Sequence, residues 1–142
     1  MNHFSVKLRL LSSPHHSVII QLIKLAIGSP TPEKVQEILG AYDESDHHLL
    51  GYYSENRLVG LIGLQVNESH GVIKHIAILK FYQNQGIGKA LITEALNCFH
   101  LKSLEAETDE EGKGFYEKCD FNCVSFEGKY NMRYRCKREL KS

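Results

Sequence analysis

Polar and apolar residues alternate from His3 to Leu11, with Phe4, Val6, Leu8 and Leu10 on one side, the period of a half-buried first strand. Ser13-Pro14 then supplies an N-cap followed by proline at the first helical position, opening a helix that Gly28 closes. Thr31-Pro32 repeats the signal, and Val35, Ile38, Leu39 and Tyr42 give the second helix a buried stripe. Leu49 to Ser54 and Leu58 to Val66 read as strands joined in a hairpin through Glu55-Asn56-Arg57, and a third strand runs from Gly71 to Leu79. Residues 81–90 lead into a helix with Ile87, Leu91, Ala95 and Cys98/Phe99 on one face and Lys89, Thr93 and Asn97 on the other. A strand from Leu104 to Thr108, a helix from Glu110 to Cys119, and strands Phe121–Phe126 and Met132–Lys137 follow. The order β-α-α-β-β-β-α-β-α-β-β predicts an α/β fold with a mixed central sheet and one strand–loop–helix unit at its centre.

Composition narrows the class. At 142 residues, 42% hydrophobic and 24% charged, the chain suits one globular domain over residues 1–142. Seventeen basic residues balance seventeen acidic ones, so no net field favours nucleic acid or an anionic membrane. The N-terminus lacks the apolar stretch of a signal peptide. The most apolar run, Val18 to Ile27, is interrupted by Gln21 and Lys24 and is too short to span a bilayer, which points to a cytoplasmic protein. Cys98, Cys119, Cys123 and Cys136 form no C-x-x-C pair and are expected as buried free thiols. The adjacent pairs His15-His16 and His47-His48 diverge on any regular element, so no metal site is expected.

The candidate chemistry lies in Phe81-Tyr82-Gln83-Asn84-Gln85-Gly86-Ile87-Gly88-Lys89-Ala90. A strand feeding a glycine-rich turn and a helix presents unpaired N–H groups and partial positive charge to an anion, with no Cβ to hold it off. The segment is not a Walker loop, for the first glycine and the hydroxyl after Lys89 are missing; nor is it a dinucleotide loop, whose third small residue is here Leu91. It matches Q/R-x-x-G-x-G/A at every fixed position through Gln83, Gly86 and Gly88, and thereby resembles the pyrophosphate loop of the GNAT family of N-acetyltransferases. Ile76 to Tyr82 resembles the hydrophobic fourth strand that precedes that loop, with Lys80 in place of the usual proline. Residues 109–121 resemble the family's N-x-x-A-x-x-[FL]-Y-x-x-x-G-F, with Asp109, Gly112 and Asp120 replacing asparagine, alanine and glycine. Asp120 is expected at positive φ, which aspartate tolerates.

The resemblance implies the GNAT acyl-CoA N-acyltransferase fold, acetyl-CoA as co-substrate, and a fourth strand that splays from the fifth near Ile78. Backbone groups of Ile76, Ile78, Leu79 and Lys80 would then meet the pantetheine arm, with the Ile78 N–H as an oxyanion donor. Gln83, Asn84, Gln85, Gly86, Ile87, Gly88, Lys89 and Ala90 would hold the pyrophosphate. Tyr116 would protonate the CoA thiolate, its alternative being plain packing. Asp109 would face the cofactor if Thr108-x-x-Glu111 forms a capping box, or else cap the helix itself. For a general base, Lys74 and Val72 share the face of Ile78 but are unsuited; His75 has a suitable ordinary pKa but lies on the opposite face unless a bulge shifts the register. The reading is an N-acetyltransferase acting on a primary amine of a small molecule or peptide, with no nucleic-acid or membrane partner, as monomer or homodimer. A non-catalytic acyl-CoA sensor on the same fold is the alternative.

Overall fold

A computed structural model describes residues 3–8, 16–28, 30–129 and 131–140. The elements are β1 (His3–Leu8), α1 (His16–Ala26), α2 (Pro32–Ala41), β2 (His47–Ser54), β3 (Arg57–Asn67), β4 (His70–Ile78), α3 (Ile87–Cys98), β5 (Ser103–Thr108), α4 (Glu110–Lys118), β6 (Asn122–Glu127) and β7 (Met132–Glu139), with a 3-10 turn at Lys80–Tyr82. Their order is the one the periodicity predicts. Residues 9–11 of the expected first strand and the Ser13-Pro14 cap lie outside the described residues. Thr31 caps α2 as expected, its hydroxyl accepting the Lys34 N–H at 3.2 Å, with Pro32 behind it. Glu55 and Asn56, at φ 51° and 66°, make the two-residue turn of the β2–β3 hairpin.

The seven strands form one sheet in the order β1-β2-β3-β4-β5-β7-β6, antiparallel throughout except where β4 and β5 run parallel. Two apolar clusters fill its faces. One joins Ile62, Leu64 and Ile73 to Leu91, Ile92 and Leu96 of α3 and Tyr116 of α4. The other joins Leu49, Leu61 and Ala77 to Ile19, Leu22 and Ile23 of α1 and Val35 and Leu39 of α2. The buried stripe of α3 is Ile87, Leu91, Ile92, Ala95 and Leu96, whereas Cys98 is exposed; helical drift carries it off the stripe expected of it.

Free thiols at all four cysteines are a second expectation the structure corrects. Cys123 and Cys136 face each other in the β6–β7 register, with Cα atoms 4.0 Å apart, and form a disulfide. Only pairing of the two strands brings them together, so their spacing along the chain does not reveal it.

Bulges decide which residues share a face. In the β3–β4 ladder His75 pairs with Gly63 and Ile73 with Leu64, so Lys74 is an extra, unpaired residue of β4. The bulge turns Ile73 onto the α3/α4 face with Ile76 and Ile78, and leaves His75 and Ala77 on the α1/α2 face. Opposite His75, a Cβ on Gly63 would fall inside the Tyr42 hydroxyl, so the glycine admits the tyrosine to the sheet surface. Gly63→Ala should therefore cost at least about 2 kcal/mol in denaturant unfolding, the range of an overpacked core. Gly40→Ala, on exposed helix with nothing within 4 Å of the new Cβ, should instead add about 0.5–1 kcal/mol.

Candidate active site

β4 pairs with β5 only at the foot of the two strands, His70–Val72 against Ser103–Glu105. Above this point β5 continues with β7 and β4 with β3, so a fork opens between β4 and β5. His70 pins the foot: its Nδ1 lies 2.6 Å from Ser103 Oγ and its Nε2 2.8 Å from Glu105 Oε1. At the upper end, the Leu79 N–H donates to Val59 O at 2.8 Å. Backbone groups alternate along a strand, so the Ile76 and Ile78 N–H groups point the other way, into the fork. The Ile78 carbonyl accepts a 2.9 Å bond from Gln83 Nε2, and Gln85 Nε2 donates to Phe81 O at 3.1 Å. Both glutamine side chains thus shape the loop through backbone carbonyls, a use that motif matching does not show.

The loop delivers the chain to α3 through Asn84 at φ 63° and Gly86 at φ 83°. Gly86 is the N-cap of α3 and brings no side chain to its free N–H groups. The first helical bond runs from Ala90 N–H to Gly86 O, which leaves the Ile87, Gly88 and Lys89 N–H groups without helical partners. Helices α2 and α4 have side-chain caps, from Thr31 and Asp109. An uncapped, glycine-led helix end beside an open fork fits a phosphate group with an extended arm. Gly88 has a further role, since a Cβ there would come within 2.7 Å of the Phe115 ring of α4.

Tyr116 is buried against the rings of Phe115 and Phe121, 5.1 and 5.2 Å away between centroids. Its hydroxyl makes no hydrogen bond among the described residues, yet is not sealed from solvent. Burial, with Cys119 beside it, pushes the phenol well above its ordinary range. Asp109 is the residue that caps α4, its Oδ1 accepting the Gly112 N–H at 2.9 Å, so the expected Thr108 capping box does not form. Thr108 Oγ1 instead occupies the space where a Cβ on residue 112 would lie, which accounts for glycine there. Asp120 has the expected positive φ, 69°.

The bulge does not carry His75 to the face of Ile78. It joins a cleft of about 250 Å³ between α2 and β4, where Lys34 and Glu37 of α2 and its C-cap residue Tyr42 face His47, Lys74 and His75. His75 Nδ1 lies 2.6 Å from the Tyr42 hydroxyl. Burial and the neighbouring Lys74, His47 and Lys34 bring the imidazole pKa down to about 4. Below the cleft, Glu44, Asp46 and His47 bring ligand atoms within 4.8 Å of one another, but both Asp46 oxygens are engaged, by His47 and by Gln65 at 2.8 and 2.9 Å. Neither the cleft nor the His70 clamp is visible in the sequence, because strand register and helix placement create them.

Fold and site together define a protein that can hold a phosphate-bearing ligand along the fork of a mixed α/β sheet. Residues 29–132 match the family model described as the acetyltransferase (GNAT) domain, and the chain belongs to that family. Among solved structures, it is similar to the ribosomal-protein-S18-alanine N-acetyltransferase of Escherichia coli, at TM-score 0.79 and 15% identity over 99% of this chain and 96% of that one. A GNAT family acetyltransferase from Elizabethkingia anophelis with acetyl-CoA bound matches at TM-score 0.73 and 20% identity, over 98% of this chain and 99% of that one. The PaiA N-acetyltransferase of Thermoplasma acidophilum, in complex with coenzyme A, matches at TM-score 0.73 and 16% identity, over 99% and 100%. At these identities the likeness is one of fold.

A carboxylate placed at the head of α3 should separate anion binding from folding. Aspartate tolerates the left-handed backbone of Gly86 better than most residues do, although any side chain there is strained. Gly86→Asp should lower the melting temperature by no more than a few degrees while weakening CoA binding at least about tenfold in calorimetry, because its carboxylate would repel the phosphates at the helix head. Gly88→Ala, by contrast, should lower the melting temperature through Phe115.

Proposed function

We propose that this chain is an N-acetyltransferase, a single domain that moves the acetyl group of acetyl-CoA to a primary amine by direct attack on the thioester. One observation carries the reading: in a chain of this family, an uncapped glycine-led helix lies at the end of a strand whose inner N–H groups face an open fork. In this scheme the free N–H groups from Gln85 to Lys89 receive the pyrophosphate, with Ala90, whose N–H bonds Gly86 O, closing the first turn behind them and the Lys89 ammonium exposed beside them. The backbone of Ile76 and Ile78 pairs with the pantetheine arm, as a neighbouring strand would. Asp109 remains the cap of α4.

The acceptor nitrogen attacks the thioester carbonyl with its lone pair, and the Ile78 N–H donates to the oxygen as it becomes negative. Collapse of the tetrahedral intermediate breaks the carbon–sulfur bond. The departing thiolate takes the Tyr116 proton, the nitrogen loses its surplus proton to water, and water reprotonates Tyr116. Burial keeps the phenol protonated throughout the neutral range and also makes that proton harder to give up, so the transfer accompanies cleavage of the carbon–sulfur bond, when the sulfur is most basic. His75 takes no part as a base here, since it faces away from Ile78 with a pKa near 4.

Acetyl-CoA should raise the melting temperature, because a ligand bound by the native state alone adds about 2.7 kcal/mol at 100 times its Kd. Release of free CoA thiol in the presence of primary amines should accompany binding; binding without turnover of any amine would identify a sensor instead. Tyr116→Phe keeps the ring and its packing, so it should lower kcat at least about tenfold with the KM for acetyl-CoA little changed. Circular dichroism checks that the variant is folded, and a wild-type rate in the folded variant would assign Tyr116 to packing alone.

A further inference from the structure

The α2–β4 cleft offers an answer to the question of which amine is acetylated. It opens on the α1/α2 face of β4, where His75 and Ala77 alternate with Ile76 and Ile78, whose N–H groups line the fork. At about 3.3 Å per residue along a strand, Ile78 and the proposed thioester position stand three residues, roughly 10 Å, beyond His75, a span that the length of a short amino acid can bridge. The cleft and the fork are thus neighbouring openings on the two sides of one strand segment.

The polar groups of the cleft are mostly donors and cations. Lys34 and Lys74 line it from opposite walls, one on α2 and one at the bulge of β4, and neither makes an ion pair among the described residues. Glu37 is the one carboxylate in the lining, which leaves the fixed charges with a surplus of one positive. The imidazole of His75 is neutral at physiological pH. Its Nδ1 is engaged by the Tyr42 hydroxyl and its Nε2 has no other partner among the described residues, so with the hydroxyl as donor the ring would carry its proton on Nε2 and offer a further donor. Burial first, and then the neighbouring Lys74, His47 and Lys34, hold His75 neutral, with no carboxylate among the influences on it.

We propose that this cleft is the acceptor pocket and that it selects an amine whose other end carries a carboxylate, held by Lys34, Lys74 and His75. The inference rests on the acetyltransferase reading above and names its substrate class. Tyr42 is a positioning residue, fixing the His75 ring and so the direction of its Nε2–H.

The test compares ω-amino acids of three to six carbons with their carboxamides and with diaminoalkanes of equal length, at saturating acetyl-CoA. The carboxylates should be better substrates than matched carboxamides by at least about tenfold in kcat/KM, chiefly through KM, as befits a charge-assisted contact. The diaminoalkanes should be worst. Lys34→Met with Lys74→Met should bring the carboxylate-to-carboxamide ratio to about one, with the affinity for acetyl-CoA unchanged. Both lysines are exposed, so the variant should fold, and acetyl-CoA binding confirms that it does. Equal or better turnover of carboxamides or diamines, or a ratio unchanged in the double variant, overturns the proposal. So does a protein that binds acetyl-CoA but acetylates no member of the series. Failure to bind acetyl-CoA would instead overturn the acetyltransferase reading on which the pocket rests.

Discussion

The site depends on a sheet that is deliberately left incomplete. β4 and β5 pair through three residues each and then separate, and the freed edge of β4 is what an extended ligand can add to. An unpaired strand edge in a protein interior is costly unless something satisfies its N–H and C=O groups. Here the ladder of β3 secures one edge of β4, the Gln83 side chain takes the Ile78 carbonyl, and the inner N–H groups remain for a ligand. His70 sets where the separation begins, since it reaches two residues of β5 from the last paired segment of β4.

The rest of the molecule holds that fork open. Helix α3 packs on β2, β3 and β4, while α4 packs on β5, β6 and β7, so each arm has its own helix. The two helices meet at Gly88 and Phe115, where a missing side chain lets the aromatic ring in. The β6–β7 hairpin, closed by the Cys123–Cys136 disulfide, braces the outer arm, and the Tyr134 hydroxyl on it donates to Glu110 at the start of α4. At the head of α3 the glycine N-cap likewise leaves the Ile87, Gly88 and Lys89 N–H groups unspent.

The bulge at Lys74 gives β4 two chemically different faces. On one, Ile73, Ile76 and Ile78 complete the core beneath α3; on the other, His75 meets Tyr42 in a cleft lined with lysines. Were the same sequence paired without a bulge, Ile73 would share the face of His75 and the core would lose an apolar contact. One inserted residue therefore serves packing and the shape of the candidate acceptor pocket at once.

Local patterns fixed a good deal of this protein in advance. Hydrophobic spacing together with cap and turn residues predicted the eleven elements in order, because burying one face of each and ending it are local demands on the chain. Gln83, Gly86 and Gly88 marked the turn that leads into α3, and Asp120 marked its own positive-φ turn. Other features exist only once strands and helices are placed. The Cys123–Cys136 bond, the His70 clamp, the cap at Asp109 and the Tyr42–His75 pair each join residues through register or packing. Thr108 and Asp109 show the limit most sharply: both are good capping residues, and the choice fell to Asp109 because Thr108 still belongs to β5, its hydroxyl turned against Gly112. Sequence spacing states which contacts a segment can make; only the assembled sheet, with its bulge and its early parting of β4 from β5, decides which of them are made.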